Sequence, residues 1–303
     1  MKRVRTGLSV LLALLMTLSA VPGTLASAAE SEENLPDYSG RSGSFVRYCQ
    51  AIGDRPGATD TLSLNAADAT LSPSLSARQE DGSVRIETGG YAQWSFSVEK
   101  SGVYELRLDY LASAGKGRKP QITLELDGSV PYTEAAGYEL SRVYRDAGAI
   151  EQNAKGDDLI PEQVEVERWQ DRPLLDTAGL SGRNLCLYLE EGAHTLRLAC
   201  ESESLYVRSL SLSPGTTVSS DAEKAASYQQ NGYQSVEGFL KIYQAEKTLE
   251  KSDVVLYPTY DRTSPATIPY DPVRIRRNTI GKGNWSEPGM WISYLIDDIP
   301  SDG

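Results

Sequence analysis

One histidine, three cysteines and a scatter of carboxylates are the residues of this 303-residue chain that could do covalent or acid–base chemistry. His194 follows the polar stretch Glu190-Glu191-Gly192-Ala193. A Ser–His–Asp or Cys–His arrangement would need it buried against a nucleophile; so polar a stretch predicts an exposed turn residue instead. Metal sites built on His and Cys fail for want of ligands. Asp157-Asp158 with Glu162, Glu165 and Glu167 could supply a paired acid and base. Acidic residues are abundant throughout, with 42 Asp and Glu in all, so the run reads by default as a solvated loop. Gly115-Lys116-Gly117 lacks the strand–loop–helix setting of a phosphate-binding loop. No catalytic constellation stands out, and the expectation is a chain that is not an enzyme.

The elements that would have to position any site are strands. Gly89 to Tyr110 reads as a hairpin: Trp94, Phe96 and Val98 alternate with Gln93, Ser95 and Ser97, Lys100-Ser101-Gly102 turns, and Tyr104, Leu106, Leu108 and Tyr110 alternate with polar residues. This pattern recurs at Gly289 to Gly303, with Trp291 opposite Tyr91 and Tyr294 opposite Trp94. Upstream, Leu62–Leu71 and Leu240–Leu249 align without a gap, matching Ala67 to Ala245 and Asp68 to Glu246. Two matches in the same order mark a duplicated domain. The second copy has only its opening strands, which predicts that the sequence is a fragment of a longer polypeptide.

The predicted organisation is a signal peptide over 1–28, a leader with a short helix over 29–60, a complete β-sandwich over 61–214, a helical linker over 215–236 and a truncated second sandwich over 237–303. In the leader, Phe45, Tyr48, Cys49 and Ile52 have helical spacing before Gly53. Eight strands are expected in the first sandwich: Leu62–Ala67, Val84–Glu87, Ala92–Val98, Tyr104–Leu111, Ile122–Leu126, Leu185–Leu189, Thr195–Glu201 and Tyr206–Leu212. With little helix between them they indicate an all-β, antiparallel sandwich. The segment from Asp127 to Gly182 breaks the rhythm, and its aromatics mark an ordered functional loop. In the linker, Ser220 and Glu223 form a capping box.

The N-terminus has the three parts of an export signal: Lys2, Arg3 and Arg5, the apolar run Leu8–Ala20, and Ala26-Ser27-Ala28. The expected location is therefore secreted, extracellular or at the cell surface. Without Met1–Ala28 the chain keeps 27 basic against 42 acidic residues, a formal charge of −15. That sign disfavours nucleic acid and anionic lipid surfaces as partners. For the cysteines, a hairpin joining Asn184–Leu189 to His194–Cys200 would pair Cys186 with about Arg197 and turn Cys186 and Cys200 to opposite faces. Cys49 is expected outside the sandwich and all three thiols free.

The repeated small–acidic pair, the Gly-aromatic-x-x-aromatic hairpin and the strand LEEGAHTLRL resemble galactose-binding-like carbohydrate-binding modules, nearest by pattern to families six and thirty-five. A longer likeness covers Ser141–Trp169 and Leu256–Tyr294, which resemble the N-terminal region of large extracellular solute-binding proteins of bacterial ABC transporters. There, tandem jelly-roll sandwiches precede the solute-binding lobes. What the resemblance implies is a non-catalytic carbohydrate-binding or scaffolding region serving sugar uptake, with the transporter's membrane components as partners of lobes beyond this chain. Accessory modules of a secreted glycoside hydrolase or polysaccharide lyase are the alternative. Stacking surfaces beside hydrogen-bonding groups are offered by Tyr144 with Arg142, Trp169 with Arg168, and Trp285 near Tyr260-Asp261-Arg262. Many such modules hold a structural calcium ion between an early acidic residue and an aspartate of the last strand. Asp68 and Glu246 occupy the early position here, while Arg208 stands about where the first module's aspartate would be.

Overall fold

The computed structural model describes residues 43–115, 117–215, 219–233, 238 and 240–297. The expected signal peptide and the leader up to residue 42 lie outside the described residues.

Helix α1 (Phe45–Ile52) starts at Ser44, whose hydroxyl accepts from the Arg47 N–H, and ends at Gly53 with φ of 51°. Its apolar spacing buries Phe45 and Tyr48 against Tyr132, with ring centroids at 4.8 and 5.1 Å. Then follow β1 (Leu62–Asn65), β2 (Thr70–Leu71), β3 (Ser76–Arg78), β4 (Val84–Ile86), β5 (Tyr91–Val98), β6 (Gly102–Ala112) and β7 (Gln121–Leu126). The segment that broke the strand rhythm contains four short strands, β8 (Tyr138–Glu139), β9 (Tyr144–Asp146), β10 (Gln163–Glu165) and β11 (Gln170–Pro173). The sandwich closes with β12 (Cys186–Leu189), β13 (Gly192–Ser202) and β14 (Leu205–Pro214).

The fold is an antiparallel β-sandwich. In one sheet β14 and β6 lie side by side at the centre, with β1 and β4 along the free side of β14, β11 and β12 along the free side of β6, and β3 beyond β4. The other sheet runs β2-β5-β13-β7-β8. Alternation puts Tyr104, Leu106, Leu108 and Tyr110 of β6 against Trp94 of β5, Leu124 of β7 and Leu196 and Leu198 of β13, all buried. In β14 the buried set switches parity, from Leu205 and Val207 to Leu210 and Leu212, because a bulge at Arg208 inserts one residue. That bulge aims Arg208 outward, over the Trp169 ring at 3.8 Å and towards Asp81 at 3.4 Å.

β12 and β13 do not form the expected hairpin. β12 pairs with β6 and β13 with β5 and β7, so the chain crosses between sheets at Glu190-Glu191. Apolar alternation is the same for a hairpin and for such a crossing, which is why the sequence misled. His194 lies within β13 rather than in an exposed turn, with its side chain 13% exposed.

Helix α2 (Asp221–Gln230) carries the capping box between Ser220 and Glu223 and buries no residue. Beyond it come β15 (Glu250–Lys251), β16 (Pro258–Thr259), β17 (Thr279–Ile280) and β18 (Ile292–Ser293). The described residues of this portion build no second sandwich core, and Leu240, Ile242, Leu295 and Ile296 are exposed. β15 and β18 instead continue the β9–β10 hairpin as a four-stranded sheet, in the order β10-β9-β15-β18.

The two aligned stretches share a hydrogen-bond pattern. In the first copy Ser72 N donates to Tyr91 O at 3.1 Å, Tyr91 N donates to Ser72 Oγ at 3.0 Å, and Trp94 Nε1 donates to Asn65 O at 2.7 Å. In the second, Ser252 N donates to Trp291 O at 3.0 Å, Trp291 N to Ser252 Oγ at 2.9 Å, and Tyr294 Oη to Ala245 O at 2.9 Å. This equivalence shifts the gapless alignment by two residues. Lys251, not Leu249, corresponds to Leu71, and Glu246 corresponds to the buried Ala66 rather than to Asp68. Among the described residues no helix is long and apolar enough to cross a membrane.

Candidate ligand-binding cleft

Two carboxylates that could have served as acid and base are consumed in holding the chain together. Ile275 N donates to Asp157 Oδ1 at 2.9 Å. Asp158 receives Arg277 N on one oxygen and Arg276 Nη1 and Gln152 Nε2 on the other, at 2.9 to 3.0 Å. Burial pushes the Asp158 carboxyl up, but these donors outweigh it and hold the group below the usual carboxylate range. The bond from Ile275 N does the same for Asp157. A general acid needs a raised value, so neither residue suits that role. The segment from Asp127 to Gly182, expected to be a binding loop, is in large part a dock for residues 250–293.

His194 is similarly tied down. Its ring nitrogens lie 2.7 Å from Asp127 Oδ2 and 2.9 Å from Glu190 O. Burial disfavours the charged ring, yet the bonds to Asp127 and Glu190 prevail and raise its pKa above the ordinary value. The raised value stabilises the fold fully below the unfolded pKa of about 6.5, and this contribution is lost as pH rises through the folded value. The melting temperature should fall by about 1–2 °C between pH 6 and pH 8, and His194→Gln should remove that slope in paired thermal melts.

The sequence-predicted binding residues fall into three groups. Arg142 is 1% exposed and its guanidinium points inward, donating to Ser113 O at 2.7 Å, to Arg118 O and to Glu165. Tyr144 is buried in β9. Neither presents a face to a ligand, a correction to the loop reading: both belong to the framework. Arg168 is exposed and pairs with Glu250, and Trp169 is half-buried under Arg208. The third group gathers around β16 and β17. Tyr260, 40% exposed, has Lys282, Arg262 and Arg277 at 5.3, 5.6 and 5.9 Å from its ring centre. Asp261 is spent on a turn, accepting from Thr263 N at 2.8 Å. Trp285, 42% exposed, donates from Nε1 to Ile280 O and packs on Gly281, where a Cβ would lie 2.6 Å from that nitrogen.

Calcium does not fit the residues of the first module. Asp68 is exposed on the turn after β1, and Arg208, in the aspartate's expected place, leans on Trp169 and Asp81. Glu246 is buried, with Oε2 lacking a partner and burial raising its pKa. Among the described residues no group of three or more His, Cys, Asp or Glu is placed to hold a metal ion.

What the structure assembles instead is a cleft of about 670 Å³ between the β8 and β11 margin of the sandwich and residues 252–253 and 287–291. Tyr110, Tyr138 and Leu140 line its sandwich side, and Met290 and Trp291 face them. Lys119 reaches Glu287 at 2.5 Å and lies 3.5 Å from Asp253 and 3.8 Å from Glu139. Burial works against its charge, but the Glu287 bond and the neighbouring carboxylates raise its pKa. Arg172 lies 4.1 Å above the Trp291 ring centre. Among the described residues its guanidinium has no ion pair or hydrogen bond, so its donors are available. A smaller cleft of about 280 Å³ holds Arg168, Trp169 and Glu250, and Arg172 and Trp291 stand in the walls of both.

The sequence reading missed Lys119, Arg172 and Trp291 as site residues. Trp291 had been aligned with Tyr91 as a strand residue, and nothing in the local sequence shows that β11 would deliver Arg172 onto it. The equivalence of Trp291 with half-buried Tyr91, over which Arg197 lies at 4.1 Å, is the one clue that the position carries a cation-capped ring.

No family model and no curated protein matches the chain. Among solved structures, the chain is similar to the beta-(1,4)-mannanase GH26-CBM35 of Podospora anserina, with 12% identity, a TM-score of 0.29, and 57% of this chain and 35% of that one covered. It is also similar to a family 35 carbohydrate-binding module from Clostridium thermocellum, with 13% identity, a TM-score of 0.29, and 51% and 98% covered. A third similar structure is the carbohydrate-binding module CBM36 in complex with calcium and xylotriose, with 10% identity, a TM-score of 0.30, and 50% and 99% covered.

Proposed function

We propose that this chain is a non-catalytic carbohydrate-binding region of an exported protein, and that the cleft beside the Arg172–Trp291 stack receives the sugar. The observation that carries the reading is the unpaired guanidinium lying on a tryptophan at the edge of a concave, mixed polar and apolar site. A sugar ring needs an apolar surface for its C–H face and nearby donors for its hydroxyls; Tyr138, Met290 and the part of Trp291 outside the Arg172 contact would supply the first and Arg172 the second. The carboxylates of Glu139, Asp253 and Glu287 around Lys119 add acceptors. The finer reading is a solute-binding protein of an ABC transporter, delivering sugar to the transporter's membrane components. It rests on the sequence likeness of Ser141–Trp169 and Leu256–Tyr294 to that group.

A panel of immobilised neutral oligosaccharides, followed by calorimetric titration of the best binder, tests the first claim. One stacked ring and a few solvent-shared hydrogen bonds give a dissociation constant on the order of 10 µM to 1 mM. Trp291→Ala and Arg172→Gln should each weaken binding about tenfold or more, a loss of roughly 1.4 kcal/mol, while Trp285→Ala leaves it unchanged. Retention of no glycan by the folded chain, or full affinity in the Trp291 variant, rejects the cleft.

A further inference from the structure

Cys49 was expected outside the sandwich with all three thiols free; it lies on helix α1, outside the inter-sheet core, and is neighbour to Cys186. Register explains how. On β12, Leu187 sits opposite Tyr104 of β6 and faces the inter-sheet core, while Cys186 and Tyr188 sit opposite Glu105 and Val103 on the outer face. Helix α1 covers that outer face: Tyr188 N donates to Tyr48 Oη at 2.6 Å, fixing the turn that carries Cys49 over the stretch that carries Cys186. The Cys49 and Cys186 side chains meet there, each the largest influence on the other's titration. Cys186 is buried and Cys49 is half-buried. The third thiol, Cys200, lies in the other sheet and donates to Glu203 O at 2.9 Å.

We propose that Cys49 and Cys186 are a redox pair that closes to a disulfide, locking α1 onto β12. The oxidant is a low-molecular-weight or protein disulfide. The Cys49 thiolate attacks one sulfur of that disulfide, breaking its S–S bond, and the thiolate released takes up a proton. Cys186 then loses its proton and its sulfur attacks Cys49 sulfur, expelling the second thiol. One disulfide is reduced to two thiols as two protein thiols become one disulfide. Exposure suits the order of events: Cys49 is half-buried and open to the oxidant, while the contact with Cys49 and burial push the Cys186 thiol up. Closure joins residues far apart in the chain, where a cross-link restricts the unfolded state most. Export, proposed above, would bring the pair into an oxidising compartment, but the chemistry needs only a disulfide.

The test uses the purified chain equilibrated with oxidised glutathione, quenched with acid, unfolded and titrated with a maleimide. The titratable thiols should fall from three to one, peptide mass spectrometry should find Cys49 joined to Cys186, and the melting temperature should rise by several degrees. Cys186→Ser should stop at a mixed disulfide of glutathione with Cys49, and Cys200→Ser should still close. Three thiols remaining after oxidation, a link through Cys200, or glutathione left on Cys49 of the unaltered chain would each overturn the pair. Because closure is read in vitro, a failure of export leaves the outcome interpretable.

Discussion

Replacing Asp146 with alanine should cost about 3–5 kcal/mol of stability, the range for removing one partner of a buried ion pair. Lys251 is fully buried, and its ammonium lies 2.7 Å from Asp146 Oδ1, which also accepts from Gln163 Nε2 at 2.6 Å. The pair spans the joint between β9 and β15, where Lys251 faces Tyr144 across the ladder. With Asp146 gone, a buried ammonium is left without its counter-charge and its main acceptor. Urea unfolding measures the loss, and limited proteolysis should cut residues 240–297 faster in the variant. The paired change Asp146→Leu with Lys251→Met should recover most of the stability, because two well-packed apolar side chains replace two desolvated charges. A cost below about 1 kcal/mol for Asp146→Ala would mean that the pair is solvated and the joint is loose.

That pair shows where sequence reading stops. Strands β5, β6, β13 and β14 were legible because their alternation is long, eight to eleven residues, and one face of each is buried in a common core. β2, β3 and β8 to β11 are two to four residues long, too short for any period to show. Their strand character comes from the neighbour they pair with, as Gln170–Pro173 does along β6. Lys251 illustrates the same limit in chemistry. A lysine between Glu250 and Ser252 reads as solvent-exposed, and only the arrival of β9 buries it. The bulge at Arg208 was readable in principle, since Leu205 and Val207 change parity to Leu210 and Leu212.

The candidate site was legible only as a type. Aromatic and charged residues in the segment from Asp127 to Gly182 did prove to be ordered, yet Tyr144 and Arg142 face inward and Asp157-Asp158 grip the backbone of residues 275–277. Arg172 and Trp291, which stack at the edge of the cleft, come from positions 119 residues apart in sequence, one on β11 and the other just before β18. No local pattern can announce such a meeting. The repeat could have pointed to it had the alignment been anchored on Ser72 and Ser252 rather than on the leucines.

Arg142 separates a framework role from a binding role most sharply. Its guanidinium reaches two backbone carbonyls, Ser113 O and Arg118 O, and the Glu165 carboxylate, with Glu203 3.8 Å away. It thereby ties the loop after β6 to the β9–β10 hairpin. Gly115 belongs to this arrangement: a Cβ there would come within 2.5 Å of Arg142 Nη2, so the glycine leaves room for the arginine. Arg142→Ala should therefore cost about 3–5 kcal/mol, leaving Glu165 unpaired and two carbonyls without their donor. Arg142→Lys should recover only part of this, because an ammonium cannot reproduce the planar fork. Both variants, measured at a temperature where they remain folded, should bind the oligosaccharide selected by the parent chain with unchanged affinity. If Arg142→Lys keeps the parental stability but loses the glycan, Arg142 is a ligand residue and the cleft must extend to the far side of β9.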